Sequence, residues 1–360
     1  MPPLHKRNNN QPRNRPNAAT QAGYDTYYPH AYPTAQSYNP CRATPAYVLI
    51  ADECGAVHVA DPDALEVIAC VGADAPAGLA IDCELHRLYA TNAQGSVLTV
   101  IDSECFQVLN VVALQKQHNA CPAVMNDIRS VVNLNNHRVY IPQPDSGSLA
   151  VVSGFRNCLM GIVQVGGSPV AVAVNQRTNL VYIANYTNEM PIVNSNNSCL
   201  VGAVALPGQA AVTDVIADNC DNRIYALRDD GSLTVIDGAA NCVIQALCIP
   251  SGAATFALDQ SLGLLYVINA AQNAVLVFDT CMLEQVGKLE IPHAPCQRFA
   301  QLAVNVLTHV VYVSDSCCCK TYVVDGGMNT FIGEIPAAGQ ALEVLCCAQN
   351  CPPCVRGCCC

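Results

Sequence analysis

Residues 168–185 read Ser168-Pro169-Val170-Ala171-Val172-Ala173-Val174-Asn175-Gln176-Arg177-Thr178-Asn179-Leu180-Val181-Tyr182-Ile183-Ala184-Asn185. A short run of valines and alanines ends on an Asx residue, polar residues follow, and a second apolar run carries a tyrosine. β-Branched runs bounded by Asn and Pro read as strands, and an Asx side chain starts a tight turn by bonding the backbone just ahead of it. The stretch therefore predicts a β-hairpin with its turn beginning at Asn175.

The same pattern recurs along the chain. The tyrosine strand appears as His86-Arg87-Leu88-Tyr89, His137-Arg138-Val139-Tyr140, Asn179-Leu180-Val181-Tyr182, Asn222-Arg223-Ile224-Tyr225, Gly263-Leu264-Leu265-Tyr266 and His309-Val310-Val311-Tyr312, with Leu49 at the tyrosine position of an earlier, degenerate copy. Successive spacings are 40, 51, 42, 43, 41 and 46 residues, which gives seven copies of a unit of about 42. Seven residues before each tyrosine stands Asp82, Asn133, Asn175, Asp218, Asp259 or Asn305, closing an apolar run. A third strand begins eight or nine residues after the tyrosine, as in Leu233–Asp237 and Val275–Asp279, and a fourth follows, as in Val243–Leu247. Four antiparallel strands repeated seven times predict an all-β chain folded as a seven-bladed β-propeller. The first copy lacks an opening strand, and Gly339–Cys346 repeats the first-strand pattern. The C-terminal strand is thus expected to complete blade 1, and closing the ring removes an exposed sheet edge.

Three segments resemble the YVTN family of β-propeller repeats: Ser168–Asn175, Asn179–Asn185 and Leu233–Gly238, set against P-x-G-V-A-V-D/N, N-R-V-Y-V-T-N and T-V-x-V-I-D-G. The resemblance covers residues 46 to 347 and implies the fold. It implies no particular activity, because propellers carry binding, structural and enzymatic roles alike.

Flanking this region are segments of different composition. Residues 1–45 form an N-terminal arm whose first 40 residues hold seven Pro, six Asn and five Tyr, with four basic residues against the single acid Asp25. Such a segment buries too little apolar surface to fold alone and is expected to be disordered. Residues 348–360 form a Cys-rich tail. Bounded in this way, the domains are the arm (1–45), the propeller (46–347) and the tail (348–360).

Of the 360 residues only 12% are charged, and the formal net charge is −11, which disfavours nucleic acid as a partner. Apolar runs stay well below the roughly 20 residues of a membrane-spanning helix, and the N-terminus lacks the apolar core of a secretory signal. Neither membrane insertion nor a classical export signal is expected. Yet the chain has 23 Cys, a content typical of oxidising compartments. The two observations are reconciled by a mature chain that has lost its signal, by a cytosolic metal or redox protein, or by a protein made inside a cell and released onto an outer surface by lysis.

Several residues that could carry chemistry also have a structural explanation. His86, His137 and His309 share one repeat position with Asn179, Asn222 and Gly263, residue types that tolerate positive φ, so a turn role is expected over a metal ring. Cys351 and Cys354 have Cys-x-x-Cys spacing without a βαβ context, and cross-linking is the expected role. Cys317-Cys318-Cys319, Cys346-Cys347 and Cys358-Cys359-Cys360 suit either disulfides or a soft metal, and adjacent cysteines are expected to seek different partners. Cys105, Cys158, Cys199, Cys242 and Cys281 fall in turns between third and fourth strands, and Cys83 and Cys220 in turns between first and second, which places them on one face of the disc. Cys54, Cys121, Cys296 and Cys317–Cys319 fall on the other. Burial as small apolar residues is the alternative for all of these.

The function expected from these features is structural and non-enzymatic, with no cofactor. Propeller subunits polymerise with themselves into a filament or layer through the N-terminal arm, and intermolecular disulfides lock the assembly. The candidate cross-linking residues are Cys41, Cys317, Cys318, Cys319, Cys346, Cys347, Cys351, Cys354, Cys358, Cys359 and Cys360. The composition is similar to that of bacterial spore-surface proteins, which implies a spore or cell surface, with the cytoplasm as the other location. The alternative function is a propeller platform binding a ligand or soft metal, with a propeller enzyme such as a lactonase as a weaker version.

Overall fold

The structure is a computed structural model that describes residues 46–52, 54–114, 128–293 and 296–345. The arm, the tail, Cys41, Cys121, Cys346, Cys347, Cys351, Cys354, Cys358, Cys359 and Cys360 lie outside the described residues.

Residues 168–185 form the expected hairpin. Ala171–Asn175 pairs antiparallel with Leu180–Ala184, and Asn175 Oδ1 accepts the backbone N–H groups of Arg177 and Thr178. Glu189–Asn194 and Cys199–Ala205 complete this four-stranded blade, the fourth in the ring. Six further four-stranded sheets are built alike, and together the seven make a β-propeller. Blades 2, 3, 5, 6 and 7 span residues 76–113, 131–164, 212–248, 253–288 and 299–335. Blade 1 takes three strands from residues 47–72 and its inner strand from Ala341–Leu345, which pairs antiparallel with Tyr47–Ala51. The clasp expected from the sequence is therefore present.

One detail differs from the sequence reading. Third strands begin seven or eight residues after the tyrosine, one earlier than expected, because the polar residue ahead of the apolar run joins the ladder, as Ser232 does opposite Cys248 and Glu189 opposite Ala205. In every blade the pairing of third and outer strands shifts by one residue at the same place, for example between Ile192 and Val193. A bulge of this kind steepens the local twist, which a propeller blade needs between its inner and outer edges.

The hydrophobic core lies between blades. Tyr182, Met190, Ile192 and Val204 of blade 4 pack on Val212, Val215, Ile224 and Ile236 of blade 5, and six equivalent clusters occupy the other joints. Each blade is covered on both faces, so its middle strands are buried at successive positions with no polar face. The repeated tyrosines Tyr89, Tyr140, Tyr182, Tyr225, Tyr266 and Tyr312 are the largest fully buried side chains, each packed against the following blade. Two of their hydroxyls bond the next blade's turn: Tyr140 Oη donates to Ser195 Oγ at 2.8 Å and Tyr182 Oη to Asn241 Oδ1 at 2.6 Å. Burial raises the Tyr182 and Tyr225 phenols to about 12. Gly339, just before the closing strand, sits so close to the Ala51 carbonyl that any Cβ would collide with it.

Candidate functional site: blade joints, surface thiols and the central channel

The repeated Asx and the residue three before the tyrosine meet across blade joints. His86, His137, Asn179, Asn222, Gly263 and His309 all have φ between 53° and 64°, as the turn reading required. His137 Nδ1 lies 2.7 Å from Asp82 Oδ2 of the preceding blade, and His309 Nδ1 2.8 Å from Asp259 Oδ2. Asn133 Nδ2 donates to Asn179 Oδ1 at 3.2 Å, and Asn175 Nδ2 to Asn222 Oδ1 at 2.7 Å. Where the first partner is Asp the second is His; where it is Asn the second is Asn. His137 and His309 are thus latches on separate joints. For His309 the hydrogen bond to the Asp259 carboxylate pushes the imidazole pKa up against the opposing effect of burial.

Three joints depart from the rule, the first being that between blades 7 and 1, where Ala46 offers no polar side chain to Asn305. In blade 1 the Asx position is Leu345, opposite Tyr47 in the ladder, so His86 has no counterpart there and its ring instead lies 3.4 Å from exposed Glu104. Between blades 5 and 6, Gly263 offers no side chain to Asp218, which is buried, and burial raises its carboxyl pKa. Cys220 and Cys281 lie in the two turns that face each other at this joint, and each is disulfide-bonded. Arg223 Nη1 donates to the Thr280 carbonyl at 2.7 Å and holds those turns together. At this joint, where Gly263 leaves Asp218 without a side-chain latch, the facing turns carry the disulfide cysteines.

The free thiols are on the surface. Cys54, Cys70, Cys105, Cys158, Cys199, Cys242, Cys296, Cys317 and Cys319 are exposed, and Cys318 is half-buried. Free cysteine is ordinarily among the most buried residue types, so burial as small apolar residues does not account for this set. Cys158, Cys199 and Cys242 each open the outer strand of consecutive blades, directly after the positive-φ residues Asn157, Ser198 and Asn241. The outer strands of blades 2 to 5, Val108–Ala113, Cys158–Gln164, Cys199–Ala205 and Cys242–Cys248, hold no charged residue. Leu109, Val111, Met160, Leu200, Val201 and Ile244 stand exposed on them. Exposed edges normally carry charges that block pairing with another chain, and this arc has none.

Of the sequence candidates that the structure describes, Cys317, Cys318 and Cys319 share the turn between the second and third strands of blade 7. Asp315 organises that turn. Its Oδ1 accepts the N–H groups of Arg298, Cys317 and Cys318 at 3.0 to 3.1 Å, and these bonds hold its carboxyl below the usual range despite the opposing effect of burial. Desolvation, then the neighbouring Cys296 and Asp315, raise the Cys318 thiol to about 11. Among the described residues no cluster of three or more Cys, His, Asp or Glu has the geometry to hold a metal ion.

A cavity of about 610 Å³ runs between the inner strands. Two levels of ladder-equivalent residues meet it, the first from all seven blades and the second through Ile216, Ala257, Ala303 and Glu343. One comprises Gly78, Arg129, Ala171, Asp214, Thr255, Gln301 and Ala341. Within it Arg129 Nη2 lies 3.4 Å from Asp214 Oδ2 and donates to Thr255 Oγ1 at 2.8 Å, while Thr255 Oγ1 donates to Asp214 Oδ2 at 3.0 Å. Blades 3, 5 and 6 are thereby tied across the channel. In the other level Ala80, Val131, Ala173, Ile216, Ala257 and Ala303 are apolar and the seventh member is Glu343. Burial raises the Glu343 carboxyl to about 7 in spite of the nearby Arg129 cation. Reading the sequence for motifs missed both Arg129 and Glu343. A charged residue at a position otherwise held by Ala, Val or Ile was the signal available for Glu343.

Hydrazine synthase of Kuenenia stuttgartiensis is a similar solved structure, 14% identical with a TM-score of 0.60, over 73% of this chain and 86% of that one. At that identity the likeness shows the propeller fold alone. No family model and no curated protein matches the chain.

Proposed function

We propose that this chain is a non-enzymatic structural building block that associates with copies of itself and is then locked by disulfides between copies. The observation that carries this reading is the set of exposed free thiols, with Cys158, Cys199 and Cys242 repeating along a charge-free arc of outer strands. An apolar edge without blocking charges favours pairing with another such edge, and thiols beside it supply the covalent lock. The N-terminal arm, with Cys41 at its end, reaches a neighbouring copy in this scheme, and the tail cysteines add links. A bacterial spore or cell surface suits such a lattice, which involves neither nucleic acid nor membrane insertion. Electron microscopy of the purified chain, with electrophoresis in the presence and absence of reductant, tests the proposal. Long polymers that fall to monomer only on reduction and denaturation support it; monomer under both conditions overturns it.

A second reading rests on the channel, where Arg129, Asp214, Thr255 and Glu343 face a cavity large enough for a small polar molecule. In that reading the propeller is a ligand platform, with the thiol clusters as soft-metal ligands. Near-stoichiometric Zn or Cu by elemental analysis, or a tight small ligand carried through purification, would favour it over self-assembly.

A further inference from the structure

The triplet Cys317-Cys318-Cys319 faces a fourth thiol from another segment. Cys296 lies in the connection between blades 6 and 7, and its Sγ stands 3.6 Å from Cys318 Sγ. Both segments are fixed by one carboxylate, since Asp315 binds the backbone of Arg298, two residues after Cys296, as well as that of Cys317 and Cys318. The Ser316 N–H donates to the Arg298 carbonyl at 3.0 Å and closes the same junction. A disulfide needs its sulfurs at about 2.05 Å, so small rotations of two surface side chains span the remaining gap with the backbone already in place.

We propose that Cys296 and Cys318 form an intrachain, redox-responsive disulfide that staples the blade 6–7 connection to the blade 7 turn. Cys317, whose thiol also neighbours Cys296, and Cys319 are then left as the exposed free thiols of the triplet. The oxidant is a low-molecular-weight disulfide, RSSR. The more exposed Cys296 attacks first as thiolate, forming a Cys296–S–S–R mixed disulfide and expelling one RS⁻. Cys318 then attacks the Cys296 sulfur, the Cys296–Cys318 bond forms, and the second RS⁻ leaves. Two cysteine thiols lose two electrons and two protons, and RSSR becomes two RSH. Desolvation first, then the Cys296 thiol and the Asp315 carboxylate, oppose thiolate formation at Cys318, so closure is slow at neutral pH and speeds up in mild alkali. This staple does not depend on self-assembly.

The test uses the reduced full-length chain, as a mixture of ¹⁴N- and ¹⁵N-labelled protein, oxidised with 2-hydroxyethyl disulfide, alkylated and digested with trypsin without reduction. Cleavage after Lys288, Arg298 and Lys320 places Cys296 on one peptide and the triplet on another. The expected product is these two peptides linked, in isotopically pure species only, with the link lost in Cys318→Ser and kept in Cys317→Ser and Cys319→Ser. Its rate of formation should rise about tenfold per pH unit between pH 7 and 9, because only the thiolate attacks. Alkylated Cys296 after complete oxidation, isotopically mixed links, or a link that survives in Cys318→Ser would each overturn the proposal. Because these readouts are intrachain, they stand apart from whether polymers form.

Discussion

Ending the chain at residue 340 removes the strand that closes the ring, Ala341–Leu345, whereas ending it at residue 347 leaves that strand in place. Leu342 and Leu345 are 8% and 3% exposed, and burying a leucine contributes about 1.5 to 3 kcal/mol, so the pair contributes on the order of 3 to 6 kcal/mol. The five-residue ladder with Tyr47–Ala51 adds backbone hydrogen bonds worth about 1 kcal/mol each net. Val48, Leu49, Ile50 and Ala51, all fully buried, lose their cover on that side as well. The total is comparable with the about 5 to 15 kcal/mol that holds a typical domain together. The 340-residue chain should therefore be largely unfolded or aggregated at 25 °C, with dye binding to exposed apolar surface. The 347-residue chain should melt cooperatively within a few degrees of the full-length protein. Circular dichroism melts and size-exclusion chromatography on both truncations decide the matter. Equal melting temperatures would refute the clasp as a structural requirement, and with it the reasoning that ring closure stabilises blade 1.

Three further outcomes follow from the joints and the channel. Replacing Asn222 by Ala strands the amide of Asn175 at the blade 4–5 joint and should lower stability by about 1 to 3 kcal/mol, read as a shift in denaturation midpoint without a change in slope. The folded-state pKa of His309 is raised, so its contribution is complete below its unfolded pKa near 6.5 and is lost as pH climbs through the folded value. Melting temperature should fall over that window in the native chain and stay flatter in His309→Asn; parallel curves would count against the Asp259 latch. Glu343 is the opposite kind of group: its folded pKa, about 7, lies above the ordinary 4.5, so stability falls as pH rises between those values. Glu343→Gln should match the native chain at pH 4 and exceed it by about 1 to 2 kcal/mol at pH 8, after allowance for water in the channel.

Local turn chemistry and period made the fold legible. The Asx residues from Asp82 to Asn305 bond the backbone two or three positions on, and the positive-φ position three before each tyrosine is held by His, Asn or Gly, which tolerate it. These are interactions within one hairpin, so spacing alone reveals them, and the missing first strand of blade 1 could be sought at the far end of the chain. The surface position of the cysteines was legible for the same reason, since a turn of a blade lies on one face or the other. What each residue touches across a joint was decided by the tertiary structure. His137 finds Asp82 55 positions away, Arg129 finds Thr255 126 positions away, and Cys296 finds Cys318 through a carboxylate that organises two segments. Those partners depend on the angle at which neighbouring blades pack and on the closure that makes seven of them a ring, neither of which is written in the spacing of a single repeat.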